Sequence, residues 1–249
     1  MEVKVIYLNN KVITYSHINF EEYEDIQNIR FLNCGYNNIT SLPESIGNMI
    51  NLQELYCHKN QLTSLPDSIG RLINLKELYC HNNRLNSLPN YIGNLTSLQN
   101  LYCSYNRLSL LPQSIGNLKD LQKIDCSNNQ LIVLPESIGN LVKIRELYCN
   151  NNRLCSLPQS ISNLIDLQML YCHNNQLLSL PYFIGNLIKL KELFCHQNEL
   201  TSLPDSICNL INLVDLFCKN NKLTILPRCI GNLSNLYIEK DENVIVQTI

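Results

Sequence analysis

The side chains in this 249-residue chain that could do chemistry are cysteine, histidine and tyrosine, and all three recur in step. Nine of the twelve cysteines follow one another every 23 residues: Cys34, Cys57, Cys80, Cys103, Cys126, Cys149, Cys172, Cys195 and Cys218. So many cysteines could mean a disulfide framework, a metal centre or a redox function. The regular step argues against the first two. Side chains held side by side on in-register strands suit disulfide geometry poorly, and a straight row cannot bring four ligands tetrahedrally onto one zinc ion. The row therefore reads as core thiols, because buried free cysteine behaves as a small hydrophobe. Cys155, Cys208 and Cys229 lie outside the row and follow no spacing rule. Unpaired thiols in this number favour a reducing, intracellular setting. A thiol-based redox or metal-responsive role stands as the alternative.

From Cys57 on, the residue before each cysteine of the row gives a second series: Tyr56, Tyr79, Tyr102, Asp125, Tyr148, Tyr171, Phe194 and Phe217. The residue after gives a third: His58, His81, Ser104, Ser127, Asn150, His173, His196 and Lys219. Aromatic side chains supply large contact area at low entropy cost and are enriched in protein interfaces. An aromatic row on an outer surface therefore reads as a binding site, and a ladder that only stabilises neighbouring strands is the plainer reading. The pairs His58/His81 and His173/His196 have the chemistry of a metal ligand or a pH switch. As recurring positions they read as surface groups copied with the repeat. The sequence holds no nucleophile–base pair, no phosphate-cradling glycine loop and no lone carboxylate pair. Every candidate recurs as a slot, which points away from one special catalytic position. The expectation is a non-enzymatic chain with no cofactor and no metal.

The elements that must position these series are visible in the stretch Leu75-Lys-Glu-Leu-Tyr-Cys-His-Asn-Asn83. It recurs with a period of 23 from Ile29 to Leu223, and fixed-period self-similarity overrides local propensity. Leu-x-x-Leu-x-Cys alternates as a short strand, sending Leu and Cys inward and the aromatic and His slots outward. An asparagine closes each strand: Asn37, Asn60, Asn83, Asn106, Asn129, Asn152, Asn175, Asn198 and Asn221. Asparagine both donates and accepts, so a column of them can satisfy the backbone where each strand turns away. All nine prolines share one slot, as in Leu42-Pro43-Glu-Ser-Ile-Gly47, and seven of the eight glycines fall four residues later. Proline fits the first position of a short helix and glycine its end, which predicts a helical or 3₁₀ turn in each coil. Ser162 and Cys208 replace the glycine in two copies, with local strain expected there. One repeat buries too little apolar surface to offset its own ordering, so the copies must stack.

This spacing resembles the leucine-rich repeat. The half Leu134-Pro-Glu-Ser-Ile-Gly-Asn-Leu141 resembles the intracellular Ras-group type, and the Tyr-Cys variant with Asn-rich turns resembles the repeat proteins of giant, Mimivirus-type viruses. The resemblance implies an α/β solenoid, a curved horseshoe with a parallel β-sheet on its concave face and short helices or 3₁₀ turns on its convex face. It also implies a protein partner bound on the concave aromatic and His-bearing face, in the cytoplasm (a host's, if the source is viral). An inert array expanded by duplication is a further alternative.

Three regions follow. Residues 1–28 read as a cap, a hairpin then a short helical turn. Residues 29–235 hold nine repeats, and 236–249 a degenerate tenth whose Val244-Ile-Val246 is expected as a last strand closing the sheet edge. The net charge of −2 lacks the basic stripe of nucleic-acid binders. The start of the chain has no basic-then-apolar leader, and no stretch reaches membrane-spanning length. The chain is expected to be a monomer without nucleic-acid or membrane partners.

Overall fold

After the first, each repeat strand is only three residues long, because a single inward leucine or isoleucine, set between two outward residues, is all that one coil contributes to the sheet. The computed structural model describes residues 1–233 and 235–246. Its strands are β1 (Val3–Tyr7), β2 (Val12–Tyr15), β3 (Ile29–Asn33), β4 (Glu54–Tyr56), β5 (Glu77–Tyr79), β6 (Asn100–Tyr102) and β7 (Lys123–Asp125). They continue as β8 (Glu146–Tyr148), β9 (Met169–Tyr171), β10 (Glu192–Phe194), β11 (Asp215–Phe217), β12 (Ile225–Leu226), β13 (Tyr237–Glu239) and β14 (Ile245–Val246). Twelve of them form one open sheet in the order β13, β11 down to β3, β1, β2. From β3 to β13 the pairing is parallel and the register steps by one repeat, Glu54 opposite Glu77 and Leu55 opposite Leu78. The chain is a solenoid with this sheet on one side and short turns on the other.

Those turns are 3₁₀, mostly five residues long, as in Glu44–Asn48 and Asp67–Arg71. Proline sits one residue earlier than expected. Pro43 is the N-cap, extended at ψ 151°, and its carbonyl accepts the Ile46 N–H at 3.1 Å. Fixing φ while leaving a free carbonyl is what that position needs. Glycine also serves differently from a helix stop. None has positive φ; from Gly47 to Gly185 the coils simply pass too close for a side chain. A Cβ on Gly47 would lie 2.7 Å from the Ser68 Cβ, and one on Gly70 would lie 2.7 Å from the Tyr91 Cβ.

The two departures from glycine are met differently by the next coil, the turn after Ser162 being shortened and the one after Cys208 keeping its five residues, Arg228–Asn232. Opposite Ser162 the next turn shortens to Ile184–Asn186, with Phe183 outside it at ψ 26°. Opposite Cys208 stands Cys229, and the two form a disulfide with Cα atoms 5.6 Å apart. Sequence spacing hid this pair, because neither residue belongs to the cysteine row.

The core is continuous. The inward Leu, Ile and Cys of every coil are buried from Val3 to Val244. At the N-terminal end β1 runs antiparallel between β2 and β3, and Val3, Val5 and Phe20 cover the first coil. The expected helical turn is two 3₁₀ turns, Phe20–Glu22 and Ile26–Asn28. At the other end β14 does not extend the main sheet. It pairs with β12 in a separate two-stranded sheet, leaving β13 as the edge. The reason is a tight turn after β13, with Val244 N–H bonded to the Asp241 carbonyl at 3.1 Å, which buries Val244 against the last coil. Among the described residues no helix is long and apolar enough to cross a membrane.

Candidate functional site

Strand alternation puts two outward columns on the sheet face, the first and third residues of each three-residue strand. The third-residue column carries the aromatic ladder. Ring centroids lie 4.4 Å apart for Tyr56–Tyr79 and for Tyr79–Tyr102. They lie 4.7 Å apart for Tyr148–Tyr171, 4.2 Å for Tyr171–Phe194 and 4.5 Å for Phe194–Phe217. Because the rings lean on one another they are half-buried, not fully exposed as an open row would be. Asp125 interrupts the ladder. Its carboxylate turns to accept the Ser127 hydroxyl at 2.7 Å and the Ser127 N–H at 3.1 Å.

The gap is filled from the other column. The Lys123 ammonium lies 5.4 Å from the Tyr102 ring centre and 4.9 Å from that of Tyr148. It also meets the Glu146 carboxylate at 2.7 Å. Sequence reading missed Lys123, and missed Phe31 and Tyr237, whose rings extend the ladder at its ends at 5.1 and 5.8 Å. All three stand in the first-residue column, so a reading of the aromatic slot alone passes over them.

Carboxylates brace the tyrosines. The Tyr56 hydroxyl donates to Glu54 at 3.1 Å, Tyr148 to Glu146 at 2.8 Å and Tyr171 to Glu192. Partial burial, and then the neighbouring carboxylate, pushes the Tyr56 hydroxyl up to about 12 and those of Tyr79, Tyr148 and Tyr171 higher. All four are neutral donors at pH 7.

Four of the five histidines form two stacked pairs beside the ladder. His58 and His81 have centroids 4.7 Å apart, and His173 and His196 4.3 Å apart, with planes within 12° and 9°. Each buries its Nδ1 without a hydrogen-bond partner. Burial pushes His81 and His173 down to about 4, the neighbouring imidazole adding to it. Parallel rings hold their nitrogens side by side, not converging on one point. Among the described residues no group of three or more His, Cys, Asp or Glu is placed to hold a metal ion.

Beneath this face the asparagine column ties coil to coil. Asn106 Nδ2 donates to the carbonyls of Cys80 and Cys103 at 3.1 and 3.0 Å, and Asn106 Oδ1 accepts the Leu85 N–H at 3.0 Å. The first asparagine has no preceding coil. Asn37 instead exchanges both bonds with the Glu2 backbone, at 2.8 and 2.7 Å. Three members of the nine-cysteine row also bond from coil to coil. The Cys80, Cys126 and Cys149 thiols donate to the carbonyl of the next strand at 3.4, 3.2 and 3.5 Å, which leucine could not do. Burial raises the thiols, Cys80 and Cys149 to about 12.

Family models described as a leucine-rich repeat region and a Leucine Rich Repeat match residues 2–107 and residues 97–118, 120–141, 143–164 and 189–210. The chain belongs to the leucine-rich repeat family. No curated protein matches this leucine-rich repeat chain. Solved structures do. A leucine-rich repeat protein of Leptospira interrogans is 32% identical over 84% of this chain and 65% of its own, with a TM-score of 0.58. The plant peptide hormone receptor RGFR1, in complex with RGF2, is 32% identical over 81% of this chain and 34% of its own, with a TM-score of 0.75. A TDR receptor is 28% identical over 84% of this chain and 41% of its own, with a TM-score of 0.74. The chain spans less than two thirds of each.

Proposed function

We propose that this leucine-rich repeat chain is a non-enzymatic, monomeric interaction module that binds a protein partner on the concave sheet face. The observation that carries this reading is the ladder itself. Its rings are held in place by one another and by carboxylates, so little side-chain entropy remains to be lost when a partner covers them. The contact residues are Tyr56, Tyr79, Tyr102, Asp125, Tyr148, Tyr171, Phe194 and Phe217, with His58, His81, His173 and His196 at the margin. A similar solenoid, RGFR1, is a peptide hormone receptor seen with RGF2, which supports recognition of protein or peptide over other ligand classes.

The Ras-group and giant-virus resemblance, together with nine unpaired core thiols, supports an intracellular setting. The Cys208–Cys229 disulfide is the observation that favours the thiol-responsive reading, since the row itself is buried and held protonated.

Pull-down with mass spectrometry tests the concave-face reading. Wild type is compared with Tyr102→Ala/Tyr148→Ala/Tyr171→Ala, both shown folded by circular dichroism. A protein retained by wild type alone supports the face. Equal retention by the two removes it.

A further inference from the structure

The two outward columns of β4 to β11 carry six carboxylates, Glu54, Glu77, Asp125, Glu146, Glu192 and Asp215, against one ammonium, Lys123. The whole chain is only −2, so negative charge is concentrated where the ladder lies. Lys76, Arg145 and Lys191 stand exposed one residue before β5, β8 and β10, and Lys219 two residues after β11, all outside both columns.

Two of the six are locally answered, Asp125 by Ser127 and Glu146 by Lys123. The other four form two pairs of like charges directly opposite each other, Glu54 with Glu77 and Glu192 with Asp215. Such pairs destabilise a sheet. Neutral donors reach three of these carboxylates: Tyr56 on Glu54, Asn100 on Glu77 and Tyr171 on Glu192. Among the described residues no salt bridge reaches either pair. Beside each lies an aromatic pair, Tyr56/Tyr79 at 4.4 Å and Phe194/Phe217 at 4.5 Å.

Lys123 shows what completes such a place. Its ammonium takes a carboxylate of the neighbouring strand and the faces of two flanking rings, a combination that holds cations well once partly desolvated. We propose that the Glu54/Glu77 and Glu192/Asp215 pairs, each with its adjacent rings, take lysine or arginine side chains of the protein partner. The inference rests on the concave-face reading and names the chemistry of what docks there. Six strand steps separate the two places, about 30 Å along the sheet, which roughly nine extended residues span.

The test is fluorescence anisotropy of the full chain with a fluorescein-labelled nonalysine peptide and with the same peptide fully acetylated. Two matched variants each lose four negative charges. One is Glu54→Gln/Glu77→Gln/Glu192→Gln/Asp215→Asn. The other is Asp67→Asn/Glu136→Gln/Asp205→Asn/Glu242→Gln, away from the sheet face. Circular dichroism establishes that both fold. The expected result is binding of nonalysine but not of its acetylated form, with Kd raised at least tenfold by the first variant and within twofold of wild type for the second. Equal weakening by both variants, or no binding by wild type, overturns the proposal. If a partner needs Tyr148 and Tyr171 but binds the first variant as tightly as wild type, this inference falls and the concave-face reading survives.

Discussion

Gly93 and Ser114 lie in adjacent coils so closely packed that a Cβ added to Gly93 would stand 2.5 Å from the Ser114 carbonyl oxygen. A backbone oxygen cannot swing aside as a side chain can. Gly93→Ala should therefore push the two turns apart and destabilise the array by about 2 kcal/mol, the range of overpacking. Gly231 occupies the same slot in the last coil, where an added Cβ meets nothing within 4 Å. Gly231→Ala should be neutral or slightly stabilising. Urea denaturation of the two variants distinguishes a packing role from a conformational one, since the latter would make both equally costly.

Asn106 supplies bonds that water cannot replace. Asn106→Ala would leave the Leu85 N–H and the Cys80 and Cys103 carbonyls without that partner. The expected loss is about 3 kcal/mol. Asn37→Ala should cost clearly less and act locally, because its bonds go to the Glu2 backbone at an exposed end. Hydrogen exchange should show fraying of β1 in the second variant and opening around β5 and β6 in the first.

The Cys208–Cys229 bridge spans 21 residues of sequence, and closing a loop of that size is worth about 3 kcal/mol. Reduction should lower protection of the last two coils in hydrogen exchange and leave the central coils unchanged. Cys208→Gly with Cys229→Ser restores the pair found in most other repeats and should recover part of the loss. If reduced and oxidised protein exchange alike, the bridge adds no stability.

The stacked histidines make the array acid-sensitive in a defined window. An imidazole in the unfolded chain titrates near 6.5, while His81 and His173 in the fold are pushed down to about 4 by burial. As pH falls the unfolded chain therefore takes up these protons first. The contribution is whole above about 6.5 and is lost progressively down to about 4. His81→Gln/His173→Gln should flatten that part of the stability-against-pH curve relative to wild type. A difference curve that stays level from 7 to 4 would contradict the burial of these rings.

Much of this structure is legible in the sequence because each slot answers to one local demand. Leu55 and Cys57 alternate inward, Tyr56 and His58 outward, and Asn60 closes the strand; nine copies repeat those demands with a single period. The solenoid, its continuous core and the outward direction of the aromatic and His series all follow from composition at fixed spacing. The same logic misplaced Pro43 by one residue and assigned glycine to helix ends, because both were judged within one coil.

What only the tertiary structure decided is which residue of one coil meets which residue of the next. The strands pair 23 residues apart, Glu54 with Glu77. Elsewhere the offset differs. It is 21 for Gly93 over Ser114 and for Cys208 with Cys229, 22 for the Cys80 thiol and the Tyr102 carbonyl, and 26 for Asn106 Nδ2 and the Cys80 carbonyl. These offsets depend on how each side of a coil lies over its neighbour, and a period read along the chain contains no information about that. The Cys208 bridge, the shortened turn at Ile184–Asn186 and the seat of Lys123 between Tyr102 and Tyr148 all depend on contacts of this kind. Sequence alone settled what each coil presents, and the stacking of coils settled what those side chains touch.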